Sequence, residues 1–413
     1  MIHAEIITIG EELLIGQVID TNSAWISEQL NLIGISVKQI TSISDNKEQI
    51  IDTLKNAIKR SKIILITGGL GPTKDDITKQ TLADFFDSKL IFNEDAFKNI
   101  EAIFKRRNLQ VSELNKLQAY LPDNCKVIPN IEGTASGMLF RKDECIIISM
   151  PGVPYEMKTM MEKFILKELQ NEFNLPYVVH KTILTQGIGE SFLAEKIEKW
   201  ENNLPSNISL AYLPSPGIVR LRLSAKGEEK EKLNELISLK IDELKEIISE
   251  YIFGYDNDTL EEIVGKLLKE KNKTLAIAES CTGGYLSHLI TSVPGSSNYF
   301  KGSIISYANE IKMHELNVDE ETLKRYGAVS KEVVEQMAKN ILLKFNTDFA
   351  IATSGIAGPD GGTKDKPVGM VWIAVADKKS INAQVFYMGE HRGRNIQKSA
   401  ISALNLLRKK ILE

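Results

Sequence analysis

KIILITGGLGPTKDD, Lys62 to Asp76, decides the fold class. Its apolar run shows no polar alternation, so both faces of the strand must be covered, as in a parallel sheet. The run stops at the glycines of TGGLG, and ITKQTLADFF then carries a helical spacing of apolar residues. The same alternation extends to both sides. AEIITIG, ISVKQITSI, MLFRK and CIIISM read as strands, while DTNSAWISEQLNLIG and NKEQIIDTLKNAIKRS read as helices. PGVPYEM leads into a further helix. Alternating strands and helices predict an α/β domain with helices on both faces of its sheet, and residues 1–172 are assigned to it. Binding sites in such sheets lie beyond the carboxyl ends of the strands. TIGEELL and TGGLGPTKDD fall there.

Past that domain the pattern changes. VVHKTILTQG, NISLAYLP and IVRLRLSAKG read as strands, and ESFLAEKIEKW and EEKEKLNELISLKIDELKEIIS as helices. This β-α-β-β-α unit predicts a small α+β domain over residues 173–254, with GYDND (Gly254–Asp258) as a linker. The order is that of a KH-like unit, which would suggest RNA. A KH module, however, clamps its ligand with a GXXG loop, and here there is only Gly187-Ile188-Gly189. Arg220, Arg222 and Lys226 make a modest basic set that reads as a solvated strand face, so a spacer or dimer-forming role is preferred. A third α/β domain, 255–413, is expected from the helix EEIVGKLLKEKN, the strands TLAIAES, GSIISYANEIKM, FAIATSG and GMVWIAVAD, and the closing helix NIQKSAISALNLLRKK.

The chain has 413 residues, 43% hydrophobic and 26% charged, with a net charge of −4, an ordinary globular balance that argues against a strongly basic nucleic-acid binder. Three scattered cysteines (Cys125, Cys145 and Cys281) form neither a disulfide framework nor a paired-cysteine zinc site, which fits a reducing compartment. MIHAEIITIGEELL reads as a strand and not as a signal peptide, and no apolar run is long enough for a membrane helix. A cytoplasmic protein is expected.

Several stretches can carry chemistry. In TGGLGPTKDD, Gly68, Gly69 and Gly71 allow backbone to approach a ligand, and Asp75–Asp76 suits a hard cation; the same residues also read as a tight turn with an aspartate cap. Glu11 and Asp20 lie near the first strand, where Asp20 reads equally as a helix cap. NIEGTASG, with Asn130 and Thr134, and PGVPYEM add glycine-proline turns, and Glu156 reads as a solvated glutamate of a first helical turn. AESCTGG (Ala278–Gly284) ends a strand and opens a helix, a place where a nucleophile is exposed beside helix-start amides. Ser280 there is a nucleophile or a helix cap; Cys281 is a nucleophile or a small buried side chain. No histidine is placed convincingly near Cys281, whereas SYANEIK offers Tyr307, Asn309 and Lys312, and a desolvated lysine can be the base for serine. Lys312 also reads as a solvated lysine and Tyr307 as a core residue. SGIAGPDGG, with Ser354, can supply amides for a phosphate or carboxylate, or be a plain loop.

These stretches, in this order, make the chain resemble the CinA family of competence/damage-inducible proteins over essentially its whole length. The resemblance rests on TIGEELLIGQVIDTNSAWISEQL, TGGLGPTKDDIT, EGTASG, MPGVPYEM, AESCTGGYLSHLIT, PGSSNYFKGSIISYANEIK, YGAVS and SGIAGPDGGTKDKPVGMVW. It implies a three-layer first domain similar to molybdenum-cofactor-binding (MoCF-like) domains and associated with metal-dependent ADP-ribose pyrophosphatase activity. It further implies a KH-type middle domain, a C-terminal deamidase domain acting on nicotinamide mononucleotide (NMN), and a homodimer. On this resemblance the deamidase nucleophile falls on Ser280 and its lysine partner on Lys312, with Tyr307 beside it. Gly283, Ser297, Asn309, Ser354 and Gly355 fall at the NMN site. Arg392 of GEHRGRNIQ is the expected phosphate contact, with Arg394 as fallback. In the first domain Gly10, Asn22, Gly68, Gly69, Gly71, Thr134, Pro151 and Gly152 are assigned to nucleotide, and Asp76, Asp75, Asp20 and Glu11 to a divalent cation such as Mg²⁺. No cofactor is needed in the C-terminal domain. The competing expectation is a non-enzyme: a pterin- or nucleotide-binding scaffold, or a DNA-uptake factor.

Overall fold

The computed structural model describes residues 2–73 and 76–413, so Asp75 lies outside the described residues. The chain forms two compact units, one running up to Val179 and including Ala225–Asn234, the other His180–Ser224 with Glu235–Glu413.

The first unit is built on a six-stranded sheet in the order Ser36–Ile43, His3–Ile9, Ile63–Thr67, Cys145–Met150, Gly137–Lys142, Lys126–Ile128. The first four strands are parallel, and the last two are added antiparallel. Ile63, Ile64, Leu65 and Ile66 are all fully buried, as the unbroken apolar run requires. Their side chains alternate between two cores. Ile63 and Leu65 join Ile26, Leu30, Met157 and Ile165 from helices on one face, while Ile64 and Ile66 join Ile50, Leu54, Leu82 and Ile100 on the other. Three layers result. Between Asp87 and Cys125 lie the helices Glu94–Arg106 and Glu113–Leu117 and a short antiparallel ladder, Leu90–Phe92 with Tyr120–Pro122.

The middle domain is a four-stranded sheet in the order Ile208–Ser215, Ile218–Gly227, Tyr177–Gln186, Ile252–Tyr255. The last strand corrects the linker expectation for GYDND: Gly254 and Tyr255 pair with Leu184 and Ile183, so only Asp256–Asp258 connects. Along Ile218–Gly227, Val219, Leu221 and Leu223 are buried and the intervening Arg220 and Arg222 are exposed, the solvated strand face expected.

The third domain has a five-stranded sheet in the order Phe300–Ile305, Leu275–Glu279, Phe349–Gly355, Met370–Asp377, Ile381–Tyr387. The first three are parallel and the last two antiparallel. Leu275 and Ile277 face a core with the helices Leu260–Glu270, Tyr285–Ser292 and Arg392–Leu412, while Ala276 and Ala278 face the helix Lys331–Phe345. GSIISYANEIKM is not one strand. Its ladder ends where Ile305 pairs with Glu279, the last residue of its neighbour, and the freed chain turns into the helix Asn309–Leu316. That turn puts Lys312 on a helix one step beyond the carboxyl edge of the sheet. No helix of the described residues is long and apolar enough to cross a membrane.

Candidate active site

The three parallel strands of the last domain end on one edge, and the chain leaving each of them contributes to a single cluster. Ser280 follows Leu275–Glu279, and its amide donates to Thr353 O of the neighbouring strand at 3.0 Å. It is not a helix cap: the cap of Tyr285–Ser292 is Gly284, in a left-handed conformation. Lys312, on the helix after the adjacent strand, is only 1% exposed. Its Nζ lies 3.1 Å from Ser280 Oγ, 2.7 Å from Ser306 O and 3.3 Å from Tyr307 O. No carboxylate pairs with it among the described residues. Burial holds its ammonium below the ordinary lysine range, partly offset by the neighbouring Cys281 and Glu310. Cys281 points into the core, 6% exposed, and burial pushes its thiol up to about 12, so it is not a thiolate near neutral pH.

The turn Ser280–Gly284 departs from expectation in one respect. The helix-start amides are already engaged: Gly284, Leu286 and Ser287 donate to the fully buried Glu279 carboxylate at 2.9, 3.2 and 2.9 Å. Ser287 Oγ also donates to it. They are therefore not available to a reacting oxyanion. The amides of Cys281 and Thr282 donate to no backbone carbonyl among the described residues, and Gly283, with φ +59° and open space where a Cβ would stand, donates its amide to Ser280 O at 3.1 Å and keeps the turn tight.

The surrounding assignments separate. Tyr307 is 59% exposed, and it meets Lys312 only through its carbonyl; its hydroxyl instead accepts from Arg392 at 3.0 Å. Arg392 also donates to Gly358 O at 2.9 Å, so it bridges Tyr307 and the SGIAGP loop, whereas the Arg394 guanidinium makes no contact of this kind among the described residues. Ser354 is buried and donates to Ala328 O at 2.7 Å, tying the YGAVS stretch to the end of its strand, and Gly355 packs where a Cβ would stand 2.6 Å from Val371 Cγ2. Asn309 opens the Lys312 helix and is exposed. Ser297 is not brought to Ser280. It lies in the turn Ser296–Asn298 that leads into Phe300–Ile305, and Phe300 pairs with Leu275, so this turn sits at the opposite end of the parallel strands. A residue the motif reading passed over, Asn395, is 1% exposed and donates to Ala357 O and Gly389 O at 3.0 and 2.8 Å, fixing the same loop as Arg392.

In the first domain the assigned residues gather at the carboxyl ends of the central strands. Asn22 Nδ2 donates to Gly152 O at 2.8 Å and to Thr67 Oγ1 at 3.3 Å, and Thr67 Oγ1 donates to the carbonyl of buried Pro151 at 2.9 Å. Asn22 Oδ1 is buried without a partner, and Asn22 lines a cavity of about 110 Å³ together with Thr8, Glu12, Asp20, Thr67 and Gly152. Gly68 has φ +118° and a Cβ there would stand 2.0 Å from Ile9 O; Gly152 packs on its Cα. Gly68→Ala is therefore expected to cost about 3 kcal/mol or more, from positive φ and backbone overlap, read as a lowered Tm of the first domain. Gly10 sits at the end of the first strand with its amide on Ile43 O at 3.1 Å, Gly69 lies against Thr78, and Gly71 against the Asp76 carboxylate. Thr134 is half-buried in the NIEGTASG loop, where Glu156 is not a free glutamate: it accepts from Asn130 Nδ2 at 2.6 Å and lies against Gly133.

Asp20, Asp76 and Glu11 of the expected cation set are not brought together. Asp20 caps the helix Thr21–Leu32 by accepting from Ser23 N at 2.9 Å. Asp76 accepts from Thr73 N at 2.9 Å and from the Thr73 hydroxyl, and Glu11 is exposed on the short helix Glu11–Leu14. Among the described residues no three His, Cys, Asp or Glu side chains gather as a metal ion needs. Asp20, Asp76 and Glu11 as placed hold no cation between them, and the fourth residue of the expected set, Asp75, lies outside the described residues.

Fold and site thus define a three-domain α/β protein with a serine–lysine pair at the carboxyl edge of its last sheet. Family comparisons divide the chain the same way: a probable molybdopterin binding domain matches residues 5–171, a damage-inducible protein CinA KH domain 180–254, and a CinA C-terminal domain 257–411. A CinA-like protein of Cytophaga hutchinsonii is 46% identical over 412 residues, covering 100% of this chain and 99% of that protein. A CinA-like protein of Flavobacterium psychrophilum is 49% identical over 415 residues, covering 99% of each. The chain belongs to the CinA family. Among solved structures, competence/damage inducible protein CihA from Agrobacterium tumefaciens is 31% identical, covering 37% of this chain and 94% of that one, with a TM-score of 0.37.

Proposed function

We propose that the C-terminal domain is a serine amidohydrolase that converts NMN to nicotinate mononucleotide and ammonia. The observation that carries this reading is the 3.1 Å approach of Lys312 Nζ to Ser280 Oγ, with no carboxylate paired to Lys312 among the described residues. A neutral amine has two protons and one lone pair. The carbonyls of Ser306 and Tyr307 accept hydrogen bonds from its two N–H groups, which turns the lone pair toward the Ser280 hydroxyl. Ser280 Oγ attacks the carboxamide carbon as Lys312 takes its proton. The tetrahedral oxyanion is met by the amides of Cys281 and Thr282. Lys312 then gives the proton to the departing nitrogen, the C–N bond breaks, and ammonia leaves an ester on Ser280. Water attacks that ester with Lys312 again as base, and the ester bond breaks to return the serine hydroxyl and the carboxylate product.

Selection of NMN follows from the rim. The exposed ring of Tyr307, its hydroxyl held by Arg392, offers a face to the cationic pyridinium ring, and Arg392 offers its guanidinium to the phosphate. Arg392→Ala is expected to raise KM for NMN by about 10- to 100-fold, the cost of a charged hydrogen bond, with a smaller change in kcat. The substrate reading is tested by comparing NMN with nicotinamide riboside and nicotinamide in an ammonia-release assay. Preference for NMN supports it; equal turnover of nicotinamide sinks it.

For the first domain we propose nucleotide binding at the Asn22–Thr67–Gly68–Gly152 cradle, carried by the buried, unpartnered Asn22 Oδ1, an acceptor awaiting a donor such as a ribose hydroxyl or an exocyclic amine. ADP-ribose cleavage to AMP and ribose 5-phosphate is the activity that family membership favours for this cradle. Its check is product formation from ADP-ribose with Mg²⁺ and with EDTA. Turnover only with Mg²⁺ supports a cation-dependent pyrophosphatase, and binding without turnover supports a scaffold.

A further inference from the structure

Glu279 is 0% exposed, yet the reaction just described does not use it. An acidic group so buried is costly unless hydrogen bonds compensate it. All its partners lie ahead in the chain: the amides of Gly284, Leu286 and Ser287 and the Ser287 hydroxyl. Its own carbonyl accepts from Ser306 N at 2.7 Å, and Ser306 O in turn accepts from Lys312 Nζ at 2.7 Å. One residue is thus fastened through its side chain to the helix that closes the serine turn and through its backbone to the strand end that holds the lysine.

We propose that Glu279 is the positioning residue of the active site, resting on the reading of Ser280 and Lys312 as the reacting pair. Its carboxylate shuts the turn Ser280–Gly284 from behind, while the Ser280 amide bond to Thr353 O shuts it in front. Between these two anchors Ser280 Oγ is held on Lys312, and the Cys281 and Thr282 amides are left without a carbonyl acceptor. The carboxylate also occupies the positive end of the Tyr285–Ser292 helix, so the oxyanion is held by the turn and not by the helix terminus. The adjacency in AESCTGG has a mechanical sense: Glu279 is the last residue of the strand, with its carboxylate on the amides of the helix start, and Ser280 is the first residue beyond it, buried with its hydroxyl on Lys312.

Glu279→Gln keeps the shape but turns an amide donor toward backbone donors. It is expected to lower kcat for NMN at least about tenfold with KM within about twofold, since small misplacements cost chemistry more than binding. Labelling of Ser280 by a fluorophosphonate probe, read by mass spectrometry, should slow in parallel. That second readout separates the two readings. If the wild-type protein labels at Ser280 but releases no ammonia from NMN, the substrate reading fails and the labelling ratio still decides the role of Glu279. A folded Glu279→Gln protein with wild-type labelling rate and kcat overturns the proposal, as does a rise in KM with kcat held. If Glu279→Gln does not fold, Ser287→Ala decides: slower labelling at wild-type Tm supports the role, and an unchanged rate overturns it.

Discussion

Ser280→Ala is expected to lower the rate of ammonia release from NMN by at least about 10³-fold, roughly 4 kcal/mol of barrier. The methyl group leaves the Ser280 amide on Thr353 O and the Glu279 anchor intact, so the fold and KM should change little. Cys281→Ala is the contrast. That thiol is buried and raised to about 12, so its removal should spare most of the activity and lower only stability, through a small core cavity. Loss of activity in Cys281→Ala together with full activity in Ser280→Ala would reverse the assignment. Ammonia release measured on both variants at matched NMN concentrations distinguishes the two outcomes.

Lys312→Met is expected to cost about 10²- to 10³-fold in kcat, the range of a lost general base, and to change the pH dependence. Lys312 acts only when neutral, so the wild-type rate should climb with pH toward its depressed pKa and level off above it. The variant should lose that climb. Stability should carry the same signature. Between the folded pKa of Lys312 and the ordinary lysine value of 10.5, the unfolded chain binds more protons than the folded one, so wild-type stability rises with pH across that window. Below the folded pKa both states hold the proton, and the cost of burying the ammonium is present in full. A pH series of Tm for wild type and Lys312→Met reads the difference; identical slopes would mean that Lys312 is not desolvated as described.

The layers of the fold were legible because buried parallel strands leave a plain mark. An unbroken run such as Ile63–Ile66, or TLAIAES, ends in glycine or serine and passes into a helical period. What misled was the end of a ladder. Nothing within GSIISYANEIKM says that its neighbour runs out at Glu279, yet that pairing limit turns SYANEIK from strand to helix and brings Lys312 to Ser280. Tertiary pairing likewise placed Gly254 and Tyr255 in a sheet when glycine and aspartate suggested a linker. Between Asp87 and Cys125 only the helix Glu94–Arg106 carries a sustained period, with Ala96, Ile100 and Ile103 buried, while the strands and the second helix there are too short to leave one.

The candidate site was half legible. Chemistry named Ser280 and Lys312, and the close approach of their side chains needed the three-dimensional arrangement. Burial then decided between the readings left open, since Lys312 is inside and Tyr307 outside. The oxyanion donors were misread because sequence shows where a helix starts but not that Glu279 folds back to occupy its amides. Asp20 looked like a ligand or a cap, and the bond from Ser23 N makes it a cap. Ser297, carried over by resemblance, lies at the far end of the strands because its turn precedes the strand and does not follow it. Asn395 left no signal at all: an asparagine in the first turn of a helix is ordinary until its two carbonyl partners are seen.

On the proposed mechanism the last domain should break the carboxamide C–N bond of NMN without a metal. Incubation of the full-length protein with NMN in EDTA, with nucleotide products separated by chromatography and ammonia measured alongside, addresses it directly. Nicotinate mononucleotide and ammonia are expected in equal amounts, undiminished by the chelator. Intact NMN, or nicotinamide with ribose 5-phosphate from cleavage of the glycosidic bond, would contradict it.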